Sequence, residues 1–375
     1  MKALALTDHG AMYGIKEFLN YAKRKNGPVN AEIKKLKKEI EAMKKRGDGA
    51  DKIAALEEQL IQTEAKRFKP IVGCECYLAR RDRFKQSEKI DGSGWHLVVL
   101  AKNLQGYKNL IKMVSKSWTE GFYYRPRIDK ELLEQYSEGL IVSSACLGGE
   151  ISRKVDDGLI QEAEEAVQWY KSVFGDDYYI ELQRHKTDRP DADQTTYPKQ
   201  ERVNKELIRI ARKYDVKLIA TNDVHFVNEE DADAHDRLIC LSTGRDFDDP
   251  NRMRYSKQEW LKTTAEMNRI FADIPEALSN TLEVADKVEF YSIDHSALMP
   301  FYPIDPSFGT EEGYKQKYSE KVLIEEFGEE TFHRLGDYEK VIRVKLEADY
   351  LAHLTFKGAK KRYGEHLSDE IKERL

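Results

Sequence analysis

Apolar residues in this chain follow two rhythms. Six short runs, "KALALTDH", "KPIVGCECY", "WHLVVLA", "LIVSSAC", "YYIELQRH" and "KLIATNDVH", are continuous or alternating and predict strands. Between most of them the apolar positions step by three and four, as in "EAEEAVQWYKSVF" and "KQERVNKELIRIARKY", which predict helices. Alternating β and α units favour a parallel sheet or barrel. Beyond about residue 230 the strand signals fade, and "SKQEWLKTTAEMNRIFADIPEALSNTLEVADKV" reads as helices. The Pro- and Ser-rich "YSIDHSALMPFYPIDPSFGT" then reads as a connector to a last helical region.

Residues 31–69 interrupt the alternation. Ile33, Leu36, Ile40 and Met43, then Ile53, Leu56 and Leu60, keep helical spacing on either side of Gly47-Asp48-Gly49. The pattern predicts an inserted antiparallel helical hairpin with one apolar seam. Its first arm is basic (Lys34, Lys35, Lys37, Lys38, Lys44, Lys45, Arg46), and its second carries Asp51, Glu57, Glu58 and Glu64. A solvated insertion whose arms attract each other is the plain reading, and a DNA or protein contact is the alternative.

Side-chain alternation points to chemistry at the strand ends. Neighbours in a strand face opposite ways, so Val72, Cys74 and Cys76 share one face, while Gly73, Glu75 and Tyr77 share the other. The small apolar face suits packing under helices, which turns Glu75 inward. Glu181, Gln183 and His185 share a face by the same rule, as do Asp223 and His225. Asp8-His9 ends the first run, where capping of the next helix is the competing role, Cys146 ends "LIVSSAC", and His96 opens "HLVVLA". A parallel barrel gathers the C-terminal ends of its strands on one face, which would make Asp8, His9, Glu75, Cys146, His185, Asp223 and His225 neighbours. His96 fits least well, because it begins its strand. Mixed imidazole, carboxylate and thiolate ligands suit Zn, Mn or Fe better than Mg alone.

Composition narrows the class without naming a reaction. In 375 residues, 40% are hydrophobic and 34% charged, as in a globular protein with a sizeable core. A net charge of −5 argues against this chain being the main nucleic-acid surface, although local basic stripes remain. Four cysteines and no apolar run of membrane-spanning length fit a cytoplasmic setting, with thiols rather than disulfides.

The motifs "KALALTDHGAMYG", "KPIVGCECYLA", "HLVVLAKNLQGYKNLIKMVSKSW", "GFYYRPRIDKELLEQYSEGLIVSSACLGGE" and "ATNDVHFVNEEDADAHDRLICLSTG", in this order, resemble one family. It is the PHP (polymerase and histidinol phosphatase) domain that opens the bacterial replicative DNA polymerase alpha subunits. The resemblance covers nearly the whole chain apart from the hairpin. It implies a distorted β/α barrel with a metal cluster at its mouth, over residues 1–285, followed by a connector and the beginning of the palm region over residues 286–375. Carried over by motif, the cluster takes Asp8 or His9, Glu75, His96, Cys146, His185, Asp223 and His225. The family's opening His-x-His strand has no counterpart ahead of Met1, so the first barrel strand and two imidazoles are expected to be missing. No Asp-x-Asp pair of palm type occurs before Leu375, so the Mg-binding carboxylates of nucleotidyl transfer are expected to be absent too.

The resemblance further implies a metal-binding module of a DNA-directed DNA polymerase in DNA replication. Such a module scaffolds the polymerase and the proofreading exonuclease subunit, meets other replicase subunits, and reaches DNA through the full-length enzyme. Hydrolysis of phosphoesters, as a 3′–5′ exonuclease or a pyrophosphatase, is a further possible activity, with the catalytic residues unassigned. A free-standing metal-dependent phosphatase and an inert structural module remain alternatives. "GFYYRPRID" reads as a loop, whose Arg125 and Arg127 are candidate contacts for backbone phosphates, against the plain reading of ion pairing with nearby acids.

Overall fold

The computed structural model describes every residue except 1, 48, 298, 299 and 301. The chain forms two compact units, Met1–Ile293 and Asp294–Leu375. The first runs β1 (Ala3–Leu6), α1 (Ile15–Arg46), α2 (Ala50–Glu64), β2 (Lys69–Leu78), β3 (Trp95–Ala101), α3 (Leu104–Thr119), β4 (Phe122–Tyr123), β5 (Arg125–Ile128) and α4 (Lys130–Gln135). It continues with β6 (Leu140–Ser143), α5 (Glu150–Asp156), α6 (Ile160–Phe174), β7 (Tyr178–Leu182), α7 (Thr196–Tyr214), β8 (Lys217–Ala220), α8 (Ala232–Thr243), α9 (Thr264–Ile270) and α10 (Pro275–Lys287).

Among the described residues, the strands form one curled, open sheet in the order β4-β5-β2-β3-β6-β7-β8, with β1 pairing along β2. All six predicted strands are present. Two more, β4 and β5, arise from "GFYYRPRID", which the sequence presents as a loop. The expectation of a parallel sheet needs correction, because β3 is antiparallel to both β2 and β6. The reason lies in the connection. Residues 79–94 hold a single 3-10 turn, Lys89–Gly92, instead of the long helix that a parallel crossover requires, so the chain comes straight back.

The two faces of the sheet differ as alternation dictates. Val72, Cys74, Cys76, Leu97, Val99, Val142, Ile180 and Leu218 pack under α3, α6 and α7 in the main core. Both cysteines are thus core side chains, and the Cys76 thiol is pushed well above its ordinary range by its hydrogen bond with Cys74 and by burial. The inner face carries Ile71, Leu100, Ile141, Tyr179 and Ile219, closed by Val284, Ala285 and Val288 from α10 and its end.

The helical hairpin begins earlier than its apolar spacing suggests. Its first arm is the outer part of α1, one continuous helix from Ile15 through Pro28 to Arg46. Lys37 pairs with Glu64 at 2.8 Å and Lys44 with Glu57 at 2.7 Å, so the arms run antiparallel and attract each other. Asp48, in the turn between them, lies outside the described residues. The run 256–288 also departs from a purely helical reading. Residues 256–263 are irregular, and helix resumes at Thr264 under a Thr263–Glu266 capping box.

The second unit is helical: α11 (Glu311–Lys317), α12 (Glu320–Phe327), α13 (Glu329–Leu335), α14 (Tyr338–Tyr363) and α15 (Asp369–Arg374). Its own core comprises Tyr314, Leu323, Phe332, Val341, Ile342 and Leu346. Met299 and Phe301 of "MPFYPIDP", expected to begin the palm region, lie outside the described residues.

Candidate metal centre

Above the apolar tier, the inner face turns polar. Toward the rim from Ile71, Leu100, Ile141 and Tyr179, the inward positions become Gly73 and then Glu75 on β2, Val98 and then His96 on β3, Ser143 on β6 and Glu181 on β7. His96 reaches this rim because β3 is antiparallel, so its N-terminal end lies where the other strands have their C-terminal ends. That removes the objection that His96 opens its strand.

His9, Glu75, His96, Cys146, His185, Asp223 and His225 all line one cavity of 330 Å³. Glu75, His96 and Cys146 each offer an atom within 4.8 Å of the others. His96 Nδ1 lies 2.5 Å from Glu75 Oε1, Cys146 Sγ 3.6 Å from His96 Nδ1, and His9 Nδ1 3.4 Å from Glu75 Oε2. The His9 ring is 5.6 Å from that of His96 and 5.7 Å from that of His225, centroid to centroid. Asp8 does not line this cavity. Its Oδ2 accepts from the Gly14 N–H at 3.2 Å, which makes it the turn-stabilising partner of the pair.

Two of these residues sit on strained turns beyond strand ends, where strand alternation no longer applies. β6 ends at Ser143, and Ala145 then takes φ +59° before Cys146. The turn is so tight that a Cβ on Gly149 would lie 2.0 Å from the Ser144 carbonyl oxygen, a position that requires glycine. Likewise β8 ends at Ala220, and Asp223 itself has φ +46°. Asp223 and His225 meet through this turn rather than on a shared strand face, with His225 Nδ1 2.7 Å from the Asp223 carbonyl oxygen. Left-handed backbone at non-glycine residues costs about 1–3 kcal/mol and concentrates at functional sites.

His185 lies past the end of β7 and is buried. Its Nδ1 accepts from Gln200 Nε2 at 3.0 Å and lies 3.6 Å from Glu259 Oε1, while Nε2 donates to the Asn222 carbonyl at 3.2 Å. Glu259 is 2% exposed and lines the cavity with Tyr255, Gln183, Arg153 and Arg254. The sequence reading missed Glu259 because it falls in "SKQEW", which has no strand alternation to mark an inward face. Backbone pairing sets it in place: the His225 N–H donates to the Glu259 carbonyl at 2.8 Å.

Protonation follows from burial and mutual charge. Burial lowers His9 and His185, which favours neutral imidazoles. Burial, then the Glu75 charge, pushes Asp223 up to about 7. Burial and the Asp223 and Glu75 charges raise the Cys146 thiol well above its usual value. Burial opposes charge on Glu75 too, but the close approach of His96 and the charges of His9 and His225 hold its carboxyl below the ordinary range.

The donor set fits a divalent cation. Glu75 Oε1 and Glu259 Oε2 are buried without a hydrogen-bond partner, and Oε1 has only the ion-pair approach of His96 Nδ1 at 2.5 Å. Buried acceptors left in this state are costly unless a cation meets them. Imidazole, carboxylate and thiol in one cavity match borderline transition metals.

The two arginines of "GFYYRPRID" have different fates. Arg127 is fully buried, and its guanidinium donates to the carbonyls of Gly121, Lys85, Asp91 and Arg83 at 2.8–3.0 Å. Contact with backbone phosphates is therefore corrected for Arg127, and its partners are carbonyls rather than acids. Arg125 is exposed and lies 5.6 Å over the Tyr77 ring, which itself packs against His9 and His96.

Known proteins bear out the family resemblance. The PHP domain family matches residues 1–185. The DNA polymerase III subunit alpha of Borreliella burgdorferi is 35% identical over 100% of this chain and 25% of its own length. Those of Chlamydia pneumoniae (32%, 100% of this chain, 28% of its own length) and Thermus aquaticus (31%, 98% and 24%) are similar. The chain spans about a quarter of the length of these relatives. In the described residues, no helix is long and apolar enough to cross a membrane. Residues 1–185 are thus a PHP domain, and the chain as a whole is homologous to the PHP-containing region of DNA polymerase III alpha subunits.

Proposed function

We propose that this chain holds a divalent transition metal, Zn, Mn or Fe, in the rim cavity and hydrolyses phosphoesters there as part of a DNA-directed DNA polymerase. One observation carries the reading: the unbonded, buried oxygens of Glu75 and Glu259 lie in the same cavity as His9, His96, Cys146, His185, Asp223 and His225. Glu75, His96 and Cys146 would hold the ion, with the remaining groups available to a second. A bound cation supplies Lewis acidity toward a phosphoryl oxygen and lowers the pKa of water.

The chain's own residues supply the rest. Arg153 and Arg254 line the cavity, and neither side chain has an ion-pair partner among the described residues, so both are available to orient an anionic group. Tyr255 donates to His225 Nε2 at 3.3 Å and fixes that ring's orientation.

The relatives' names support a DNA polymerase setting; DNA replication in the cytoplasm, with the proofreading exonuclease and other replicase subunits as partners, completes the proposal. We also propose the finer fold, a distorted PHP barrel followed by the start of a palm region. Its domain limits are 1–285, with the inserted hairpin at 31–69, and 286–375. The test is hydrolysis of bis(p-nitrophenyl) phosphate and pyrophosphate by the 375-residue chain loaded with Zn²⁺, Mn²⁺ or Fe²⁺. Turnover that disappears in His96→Ala and Asp223→Asn supports the reading, and turnover that persists in both overturns it.

A further inference from the structure

Beside the metal cavity lies a second pocket, of 470 Å³, within the size range of small-ligand sites. Arg153 lines both. Its cations are unevenly satisfied. Arg81 is consumed by Asp91 and Glu88, and Lys130 and Lys154 share one buried carboxylate, Glu150, which also accepts from Tyr170. The side chains of Arg80 and Arg153 meet no carboxylate or hydrogen-bond acceptor among the described residues, and Arg80 Nε is buried without one. Asp157 and Glu162 also line the pocket, so its cations outnumber its carboxylates five to three.

An aromatic surface completes it. Trp95, next to His96 on β3, lines the pocket, with Arg80 5.7 Å and Lys154 5.3 Å from its ring centroid. Guanidinium groups without carboxylate partners beside a half-buried indole suit a nucleic-acid strand: cations for phosphate oxygens and the open part of a π-face for a base. A second phosphate would lie across Arg153 from the first.

We propose that the Trp95 pocket is a subsite for single-stranded polynucleotide, holding the nucleotide adjacent to the one whose phosphoester occupies the metal cavity. Arg80 and Arg153 take the phosphate and Trp95 the base. The assignment of the neighbouring cavity rests on the phosphoesterase reading above, but the pocket's affinity for a strand does not.

Binding of fluorescently labelled d(T)8 to the metal-free 375-residue chain, in EDTA and across a salt series, tests this. Arg80→Ala should weaken binding about fivefold or more and reduce the salt slope by about 0.7, the loss of one phosphate contact on single strands. Trp95→Leu should weaken it about tenfold. Arg80→Ala should leave hydrolysis of bis(p-nitrophenyl) phosphate by the metal-loaded chain unchanged. If Arg80→Ala does not fold, exposed Arg153→Ala takes its place in the binding assay. Unchanged affinity and salt slope would overturn the subsite, as would thymidine monophosphate binding as tightly as d(T)8. Strand binding that depends on Arg80, in a chain that cleaves no phosphoester, would support the subsite and sink the phosphoesterase reading alone.

Discussion

Asn26 and Phe68 close the base of the helical hairpin with a reciprocal pair of hydrogen bonds. Asn26 Nδ2 donates to the Phe68 carbonyl at 2.7 Å, and the Phe68 N–H donates to Asn26 Oδ1 at 2.9 Å. Asn26 is buried, so Asn26→Ala leaves a backbone donor and acceptor unmet. The expected loss is about 2–3 kcal/mol, read as a shift of the denaturation midpoint at constant m-value.

The hairpin beyond this clamp should be separable. Ile33, Leu36, Ile40 and Met43 are buried, yet they belong to none of the three hydrophobic clusters. Replacing residues 31–66 by a short Gly/Ser linker is expected to keep one cooperative transition of the first unit, because loop closure depends weakly on length. Loss of that transition would show that the hairpin supports the sheet.

Arg127 should behave as a structural residue. Arg127→Met strands four carbonyl oxygens in the interior and is expected to destabilise by about 3 kcal/mol or more. Arg125→Ala, at an exposed position, should cost little stability. Thermal unfolding of the two variants side by side separates these roles.

The pH dependence follows from Asp223. Its carboxyl is raised from 3.8 to about 7 in the folded chain, chiefly by burial. A raised acid contributes stability that is full below the unfolded value and is lost as pH rises through the folded one. The metal-free chain should therefore lose stability from about pH 4 to about pH 7 through this group, and Asp223→Asn should flatten that slope. Metal affinity should run the opposite way, rising over the same range as the proton ceases to compete.

Much of the site was legible because alternation is a local rule. Glu75 and Glu181 could be assigned to the inner face from their strands alone, and Cys74 and Cys76 to the core, whereas His185 lies past the end of β7, where alternation no longer holds. The direction of β3 was not legible, since it depends on whether residues 79–94 form a crossover helix. The turns carrying Cys146 and Asp223 were hidden for another reason: left-handed backbone at Ala145 and Asp223 carries no glycine signal. Glu259 comes from an irregular segment held by pairing with His225, a tertiary effect. "RPRID" suggested an exposed basic loop, whereas burial of Arg127 depends on carbonyls contributed from residues 83–91 and Gly121.

Glu259 offers a sharp check on the limits of the site. Glu259→Gln preserves volume but replaces one carboxylate oxygen with an amide beside His185. Whether Glu259 binds the ion or only orients His185, metal affinity is expected to fall about 10–100-fold, with little change in folding. Equilibrium dialysis against Zn²⁺ measures it.

The central claim is that the rim cavity is a metal centre with Cys146 among its ligands. Titration with Co²⁺, followed by absorption spectroscopy, tests it most directly, because a thiolate ligand gives an intense near-ultraviolet charge-transfer band. The account predicts that band in the native chain, its loss in Cys146→Ser with weakened Co²⁺ binding, and displacement of the ion by Zn²⁺. A native chain that binds no Co²⁺, or binds it with a spectrum unchanged by Cys146→Ser, would contradict it.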